Sequence, residues 1–292
     1  MSLLLTKFIQ ILLFLISFLP LRVISWAATS IGASKMLNRS SAFLITTANL
    51  RLVFPDMEKK AIKELAVSSI KETLKTVFEM GFVWSFLLRK DLSNYVSAWG
   101  FEKVKKSLDY SKGLILFAPH LSNIEIILNY IGRQMPCMAL YTPSKNKYVD
   151  KVMLSARTKM GVIMVEPNLS GIKSILKNLN KGGVVIIASD QVPKLEGGIL
   201  SNFFSIPALT MTLVSKLKMK SKAPCHSIFC TRVPNGKGFK IRFSEEITGM
   251  DVDLQSSVDR MNEELEKCIM NSPEQYSWEY KRYKHSSIKD IY

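Results

Sequence analysis

Cysteine and histidine are scarce in this chain, and their positions exclude several kinds of site. Of the 292 residues, four are cysteine and three are histidine. The cysteines lie in apolar stretches without CxxC spacing: Cys137, Cys225, Cys230 and Cys268. We therefore expect reduced thiols packed in a cytosolic core, and neither a disulfide framework nor a zinc site. HExxH and GxSxG are also absent, which excludes a zinc protease of that type and a serine hydrolase with a nucleophile elbow.

Acidic residues are too few to balance the basic ones. The chain has 24 Asp and Glu against 40 Lys and Arg, so its net charge is +16. Such an excess attracts anionic membrane surfaces, phosphate-bearing substrates or acidic proteins. A pI near 9.6 is also common among nucleic-acid-binding proteins, but the sequence contains no zinc-finger, helix-turn-helix or RNA-binding signature. We therefore expect no nucleic-acid partner.

Long apolar runs are rare as well, and the strongest membrane signal lies at the amino terminus. Between Lys7 and Arg22 there are 14 uncharged, mostly apolar residues, fewer than the ~20 that an upright helix needs to cross a bilayer. Flanking apolar residues extend the stretch if the two cations reach the headgroups. The segment therefore either just spans the membrane or lies in its interface with the apolar side immersed.

An alternative for the same segment is a signal peptide that is cleaved near Ala27. Pro20 and Arg22 disfavour this alternative, because the region before a cleavage site is normally small and uncharged. We expect a retained membrane-anchor helix over residues 1–28 and a single α/β domain over residues 29–292. The whole body would then lie on one side of the membrane.

After the amino terminus, short apolar runs alternate with stretches of helical composition. A first helix is predicted over 58–81, where apolar residues recur at three- and four-residue steps. Four apolar runs follow, at 113–118, 137–142, 161–166 and 183–189. Helix-like stretches lie between them, near 123–133, 148–160 and 169–181. This alternation predicts an α/β fold with a mixed, largely parallel sheet covered by helices.

The pattern changes after residue 189. We expect a loop with Pro and Gly residues that leads into a helix from about 208 to 220. Two strands joined around Asn235 and Gly236, a strong hairpin dipeptide, are predicted next. A helix near 254–271 and a basic, aromatic tail complete the chain.

His120 follows the first apolar run, where a buried strand is predicted to end. Ligands bind at this edge of open α/β sheets. Ser122 or Asn123 can cap the next helix, which puts Glu125 in its first turn. We expect His120 Nδ1–H to donate to Glu125, which leaves Nε2 to accept a proton as a general base. The alternative is a loop histidine beside a helix-capping glutamate, because such short motifs often match by chance.

Several blocks of the sequence resemble a known family. H-x4-E after an apolar strand resembles the signature of glycerolipid-type acyltransferases. Four blocks together are similar to the late acyltransferases of bacterial lipid A biosynthesis, and the likeness covers most of the chain: "APHLSNIE", "ASDQVPKLEGGILSNFFSIPALT", "TRVPNGKGFKIRF" and "LEKCIMNSPEQYSWEYKRYK". The PEQYSW block is far more specific than H-x4-E, and it favours the catalytic interpretation of His120.

The resemblance implies roles for six residues. It implies a catalytic pair, His120 and Glu125, and four substrate-binding residues, Arg157, Asp190, Phe203 and Phe204. For Arg157 we expect contact with a phosphate or with the pantetheine of a donor. For Asp190 we further expect either an ion pair with Arg157 or a hydrogen bond that holds the loop. The two phenylalanines are expected to line an acyl channel, with plain core packing as the alternative.

Two positions depart from the family pattern. Thr142 stands where the family often has arginine, and Ser205 stands where it tends to have glycine. Both departures leave the identity of the acyl acceptor open.

The function implied by the resemblance is cofactor-independent and metal-independent acyl transfer. The enzyme would move a fatty acyl chain from acyl carrier protein to a hydroxyl of a lipid A precursor, an anionic lipid, without an acyl-enzyme. It would act at the cytosolic face of the bacterial inner membrane. A cationic helix end at 215–222 is a candidate surface for the acidic carrier or for lipid phosphates, or only a solvated face. The alternatives are another acceptor, such as a lysophospholipid or glycolipid, and a catalytically silent protein that binds lipid or acyl carrier.

Overall fold

A seven-stranded sheet is the centre of the computed structural model, which describes residues 7, 11, 13–34, 37, 39–108, 113–288 and 290–292. Its strands are β1 (Val96–Trp99), β2 (Leu114–Ala118), β3 (Cys137–Leu140), β4 (Val162–Val165), β5 (Val184–Ala188), β8 (Cys225–Val233) and β9 (Gly238–Phe243). Their order across the sheet is β1-β9-β8-β2-β5-β3-β4. β8 and β9 are antiparallel, and the other neighbouring pairs are parallel. The predicted α/β fold with a mixed, largely parallel sheet is confirmed.

Helices cover both faces of this sheet. They are α1 (Leu21–Gly32), α2 (Ser41–Val53), α3 (Lys59–Gly81), α4 (Phe101–Leu108), α5 (Ile124–Gln134), α6 (Lys147–Lys159), α7 (Leu169–Leu179), α8 (Leu213–Ser221) and α9 (Leu254–Ile269). The helices predicted over 58–81, 123–133, 148–160, 169–181 and 254–271 correspond to α3, α5, α6, α7 and α9. The helices and the strands together form one hydrophobic core on each face of the sheet, because alternate residues of a strand point to opposite faces.

β2 shows this division most clearly. All five of its residues are buried. Ile115 and Phe117 belong to the core under α2, α3, α7, α8 and α9. Leu114, Leu116 and Ala118 belong to the core under α1, α4 and α5. The four cysteines are free and buried, as expected of thiols in a core.

A second, two-stranded sheet replaces the loop predicted after residue 189. β6 (Gly198–Phe203) and β7 (Ile206–Met211) form an antiparallel hairpin. Its connection, Phe204 and Ser205, has φ values of +51° and +63°, which is the geometry of a two-residue primed turn. The helix predicted from 208 therefore begins later, as α8, because the apolar residues 206–211 pair as a strand instead. The hairpin predicted around Asn235 and Gly236 is confirmed as β8–β9.

The amino-terminal segment is interrupted before Pro20. Residues 13–16 are helical, a bend follows, and α1 starts at Leu21. In the part of the chain that the structure describes, no helix combines the length and apolar character that a bilayer crossing requires. Residues 1–6, 8–10 and 12 of the predicted anchor lie outside the described residues. The single anchor helix expected over 1–28 is therefore not supported.

Candidate active site

The register of two neighbouring parallel strands places His120 beside Asp190. β2 and β5 pair up to Ala118 and Ala188, and each of the two site residues follows its strand end by two positions. Adjacent strands lie about 4.8 Å apart, so side chains that leave the same edge at equal offsets come within contact distance. The sheet itself therefore builds the candidate site, at the carboxyl edge where such sheets bind ligands.

Asp190 holds both the ring and the backbone of His120. Its Oδ1 lies 2.6 Å from His120 Nδ1, and its Oδ2 accepts from the His120 backbone N–H at 2.8 Å. Gln191 Nε2 lies 3.4 Å from His120 Nε2. The Asp190 carboxylate can only accept a hydrogen bond, so Nδ1 carries the ring proton. The Gln191 amide N–H donates, so Nε2 is unprotonated. Both contacts therefore assign the same tautomer. The Nε2 lone pair is then available to take a proton.

The electrostatics of the pair raise the basicity of this imidazole. The side chain of His120 is 29% exposed and that of Asp190 is 3% exposed. Burial lowers the pKa of His120, but the Asp190 carboxylate outweighs burial, so the pKa is raised above 6.5. Burial acts to raise the pKa of Asp190, and the imidazole outweighs that effect, so the carboxyl pKa is lowered. The result is an ionised carboxylate beside an imidazole basic enough to act near neutral pH.

Glu125 lies in the first turn of α5, and Arg157 binds its carboxylate. Asn123 caps the helix: its Oδ1 accepts from the Glu125 backbone N–H at 3.2 Å. Arg157 donates to Glu125 Oε1 from Nη2 at 2.5 Å and from Nε at 3.2 Å. Trp84 Nε1 donates to Glu125 Oε2 at 3.0 Å. Because Glu125 is buried, these donors compensate a charge that water does not reach.

The partners are exchanged relative to the sequence-based prediction. The hydrogen bond predicted from His120 Nδ1 to Glu125 is wrong, because Nδ1 pairs with Asp190. The ion pair expected between Asp190 and Arg157 is also wrong, because the guanidinium pairs with Glu125. The alternative expectation for Asp190, a hydrogen bond that holds the loop, is confirmed by its bond from the His120 backbone N–H. The two pairs are nevertheless close in the chain, since Glu125 follows His120 by five residues in the first turn of α5.

The PEQYSW block closes over the turn that carries His120. Tyr276 forms an antiparallel bridge with Leu121, and the Ser277 backbone N–H donates to the His120 carbonyl at 3.2 Å. Burial, reinforced by the Asp190 carboxylate, raises the pKa of Tyr276 far above its usual value, so this hydroxyl stays protonated. The PEQYSW block thus supports the backbone of the turn that carries His120.

Phe203 and Phe204 pack in an aromatic cluster. Phe203 is buried and Phe204 is half-buried. Their ring centroids are 5.0 Å apart, and the Phe204 ring lies 5.9 Å from Trp278. Arg282 lies over the Phe203 ring at 4.8 Å. Core packing accounts for both rings, and contact with an acyl chain stays a prediction.

The two departures from the family pattern have different surroundings. Ser205 has a φ of +63°, a backbone region that glycine adopts without strain, so a glycine at this position serves the turn. The departure therefore concerns hairpin geometry. Thr142 is exposed in the loop after β3, at the same edge of the sheet as His120.

The cationic helix end proposed for the carrier lies at the wrong edge of the sheet. α8 leads into β8, whose first residue Cys225 pairs with Ile115 near the start of β2. His120 follows the opposite end of β2. In addition, Lys218 is buried, with its Nζ 3.8 Å from Glu246. The stretch 215–222 therefore does not adjoin the candidate site.

Three side chains of the site escaped sequence reasoning. Trp84 lies in a π-helical turn far from H-x4-E, and no local motif marks it. Gln191 follows Asp190 directly, and that adjacency was the signal available. Tyr276 lies in the PEQYSW block, whose specificity marked it without showing its proximity to Asp190.

The fold and the site together define a class of protein. A histidine oriented by a buried carboxylate, with a second carboxylate held by arginine at the carboxyl edge of a covered α/β sheet, is a general-base arrangement. The fold and the site therefore define an α/β protein with a candidate general-base site.

The family follows from comparison with known proteins. The model of the bacterial lipid A biosynthesis acyltransferase family matches residues 2–285, and the chain belongs to this family. It is an acyltransferase.

Individual relatives agree with this assignment. The chain is 25% identical over 274 residues to lipid A biosynthesis lauroyltransferase of Escherichia coli strain K12, covering 93% of this chain and 89% of the relative. It is 25% identical over 270 residues to lipid A biosynthesis palmitoleoyltransferase of the same organism, covering 91% and 86%. A lipid A biosynthesis acyltransferase of Haemophilus influenzae is 25% identical over 278 residues, covering 91% and 83%.

Proposed function

We propose that this enzyme transfers a fatty acyl chain from acyl carrier protein to a hydroxyl of a lipid A precursor, with His120 as general base. The observation that carries the proposal is the 2.6 Å contact between His120 Nδ1 and Asp190 Oδ1. It fixes the tautomer whose Nε2 accepts a proton, and Nε2 is the ring nitrogen on the side of Gln191. The family assignment supplies acyl transfer as the reaction.

The proposed step forms one ester bond and breaks one thioester bond. His120 Nε2 takes the proton of the acceptor hydroxyl as its oxygen attacks the thioester carbonyl. The tetrahedral oxyanion then collapses and the C–S bond breaks. The leaving thiolate takes the proton from the imidazolium, so His120 returns to its starting state. No side chain of the protein is acylated.

Glu125 and Arg157 support this step electrostatically. Arg157 uses Nε and Nη2 on Glu125, which leaves Nη1 as the part of the guanidinium directed elsewhere. We propose that Glu125 fixes the guanidinium so that Arg157 stabilises the oxyanion or a phosphate of the substrate. Glu125, predicted as a catalytic residue, is therefore a positioning residue in the proposal, acting through Arg157 in addition to shaping the helix start.

Exposed lysines lie at the edge of the sheet that carries His120, where they could bind an acidic acyl donor. Lys145 and Lys147 follow β3, and Lys194 follows β5, so all three lie at the edge that carries His120. All three are exposed. We propose that this group, which we call the edge lysines, attracts the acyl carrier protein.

The membrane contact is proposed to be interfacial. The described part of residues 11–31 exposes eight large apolar side chains: Ile11, Phe14, Leu15, Phe18, Leu19, Val23, Trp26 and Ile31. An exposed apolar patch of this kind marks a contact surface. With the net charge of +16, it favours the surface of an anionic inner membrane, with the active site on the cytosolic side.

Activity of single variants tests the proposal. The chain in phospholipid vesicles is mixed with acyl-loaded carrier and a lipid A precursor, and product is followed by mass spectrometry. We expect His120→Ala to reduce turnover by about 10²–10⁴-fold, the range for loss of a general base. Glu125→Ala should reduce it by about 10²-fold, because Arg157 is then misplaced, and vesicle binding should be unchanged in both variants. The substitution Asp253→Asn, at the exposed cap of α9, is the control and keeps full activity.

Other results would lead to different conclusions. Near-normal turnover of His120→Ala refutes the mechanism, and a stable acyl adduct on the protein refutes direct transfer. Transfer to a lysophospholipid in place of the lipid A precursor supports the alternative acceptor. Binding of carrier and lipid without any transfer by the wild-type chain identifies a silent binding protein.

A further inference from the structure

A buried ion pair lies directly behind the turn that carries His120. Arg232 Nε donates to Glu79 Oε1 at 2.7 Å, and Arg232 Nη2 donates to Glu79 Oε2 at 2.9 Å. Glu79 is 2% exposed and Arg232 is 9% exposed. The contact is therefore a bidentate pair shielded from water, between the last turns of α3 and the end of β8. Arg232 Nη1 also donates to Glu72 Oε2 of α3 at 3.2 Å.

The topology explains how β8 reaches this place. Phe117 of β2 pairs with Ser227 of β8 in a parallel register. β2 ends one residue later, whereas β8 continues to Val233. Ser122 follows Phe117 by five residues, and Arg232 follows Ser227 by five residues. Arg232 therefore lies beside the turn that contains Ser122.

Glu79 is connected to the start of α5 through one side chain. Asn123 Nδ2 donates to Glu79 Oε2 at 3.0 Å, while Asn123 Oδ1 accepts from the Glu125 backbone N–H. Asn123 is fully buried. The position of the Glu125 helix turn is thus set by an amide whose other end rests on the ion pair.

Arg232 is connected to the same turn by a second route. Its Nη2 donates to Thr76 Oγ1, and Thr76 Oγ1 donates to the Ser122 carbonyl at 3.2 Å. Its backbone N–H donates to Gln275 Oε1 at 2.7 Å, and the Gln275 carbonyl accepts from the Ser122 N–H at 2.8 Å. Both backbone polar groups of Ser122 are therefore held by partners of Arg232.

The turn needs such support. Ser122 has a φ of +58°, a left-handed conformation that is unfavourable for residues other than glycine and persists only where the surroundings impose it. Stability alone does not explain why the support is ionic, because well-packed apolar residues often replace a buried ion pair without loss. Directional hydrogen bonds to a fixed turn do explain it.

We propose that Glu79 and Arg232 are positioning residues of the acyltransferase reaction. They hold the segment 120–125 so that the backbone of Ser122 and the cap of Asn123 place His120 and Glu125 at their working distances. The inference rests on the proposed function of His120 and Glu125, and it adds two residues on distant elements that touch neither substrate nor the reacting atoms.

Four variants test the inference. Arg232→Met and Glu79→Gln each break the pair, and the double variant removes both charges. Asn123→Ser keeps a helix-capping hydroxyl but is too short to donate to Glu79, so it cuts the connection with the least disturbance. Lys218→Met is the matched control, because it removes another buried cation at the opposite edge of the sheet.

The readouts separate positioning from stability. For each variant, kcat and KM are measured well below its melting temperature, and hydrogen–deuterium exchange is followed in the peptide that covers 120–126. We expect Asn123→Ser and each pair variant to lose about 10- to 100-fold in kcat, the effect of a misplacement near 1 Å, with KM changed by less than about threefold. Exchange in the peptide should become faster. Lys218→Met should lower the melting temperature without either effect.

Two results would overturn the inference. One is a lowered melting temperature for Arg232→Met and Glu79→Gln with kcat unchanged, which is a purely structural role. The other is unchanged exchange over 120–126 in Asn123→Ser, which does not depend on activity and applies even if a pair variant fails to fold. Absence of acyl transfer by the wild-type chain overturns the proposed function instead, while the exchange data still decide whether the pair holds the turn.

Discussion

His120 shows how a single buried carboxylate sets the chemistry of an imidazole. Asp190 accepts from Nδ1 and from the backbone N–H of the same residue. The ring therefore has a fixed orientation and tautomer before substrate arrives. The same charge raises the pKa of His120 against the effect of burial. Orientation and basicity thus have one source, and one substitution should change both.

The variant Asp190→Asn tests this at the residue scale. In the proposed mechanism catalysis needs neutral His120, so kcat/KM should rise with pH and reach half its maximum at the His120 pKa, above 6.5. The asparagine keeps the shape but removes the charge that raises this pKa. We expect the half-maximum to move to lower pH, and the plateau to fall by about 10²–10⁴-fold. A pH–rate profile of both proteins measures this.

The sign of the pH shift is the decisive result. A half-maximum that stays in place, or moves to higher pH, would show that Asp190 does not control the titrating group. Asp253→Asn again serves as control, because this exposed carboxylate caps α9 away from His120.

At the scale of elements, the β6–β7 hairpin carries local strain at its connection. Phe204 and Ser205 both have positive φ, which costs roughly 1–2 kcal/mol for a residue with a side chain. Ser205→Gly should therefore raise the free energy of unfolding by about 1 kcal/mol, reduced somewhat by the greater freedom of glycine in the unfolded chain. Urea denaturation measures the change.

The neighbouring position provides an internal contrast. Phe204→Gly relieves the same kind of backbone strain but removes the ring contacts with Phe54 and Trp278. We expect it to destabilise the protein by about 2 kcal/mol, because loss of an aromatic side chain from a packed cluster outweighs the relieved strain. Stabilisation by both substitutions would show that the rings contribute little.

The direction of the strands predicts which lysines meet the carrier. The edge lysines follow the carboxyl ends of β3 and β5, whereas Lys216 and Lys220 of α8 belong to the helix that precedes the amino end of β8. We expect Lys145→Glu with Lys147→Glu to raise KM for the acyl carrier about three- to tenfold at low salt, with little change near 0.5 M salt. Steady-state kinetics at two salt concentrations measure this.

The matched control reverses two exposed lysines at the other edge. Lys216→Glu with Lys220→Glu makes the same change in net charge. If both pairs raise KM equally, the carrier responds to the overall charge of the protein and not to a docking surface at the site.

At the scale of the whole molecule, α1 is apolar on two sides. Leu21, Ile24, Ala28 and Gly32 are buried, and the opposite side exposes Val23, Trp26 and Ile31. Gly32 lets α1 lie close to α3, because a Cβ there would meet the backbone of Lys71 at 3.0 Å. α1 is therefore docked on the body, while its outer side exposes apolar surface, as the proposed membrane contact requires.

Replacing three exposed apolar residues tests the membrane contact. Leu15→Glu, Phe18→Glu and Trp26→Glu together should weaken binding to vesicles of phosphatidylglycerol at least about tenfold. Immersing one large apolar side chain is worth roughly 1.5–3 kcal/mol, and a tenfold change needs only about 1.4 kcal/mol. Vesicle sedimentation measures the binding. Val252→Glu, at an equally exposed apolar residue, should have a much smaller effect, and equal losses would contradict a localised contact.

The sequence by itself determined most of the local elements. The apolar runs that became β2, β3, β4 and β5 and the helices between them are local patterns, and the backbone adopts them because alternation and periodicity match burial. His120 and Glu125 were marked by position, and Asp190 by resemblance. The weakest local signals failed: β1 has four residues of mixed exposure, and the apolar stretch 206–211 suited a strand as well as a helix.

Only the tertiary structure decided which charges pair. His120 meets Asp190 because β2 and β5 are neighbours in register, although 70 residues separate the two side chains in the chain. Arg157 and Trp84 meet Glu125 from elements 32 and 41 residues away. A short spacing such as H-x4-E constrains where two side chains start, but the sheet order sets what each one touches. Hydrogen bonds act over about 3 Å, so pairing is decided by the packing of distant elements.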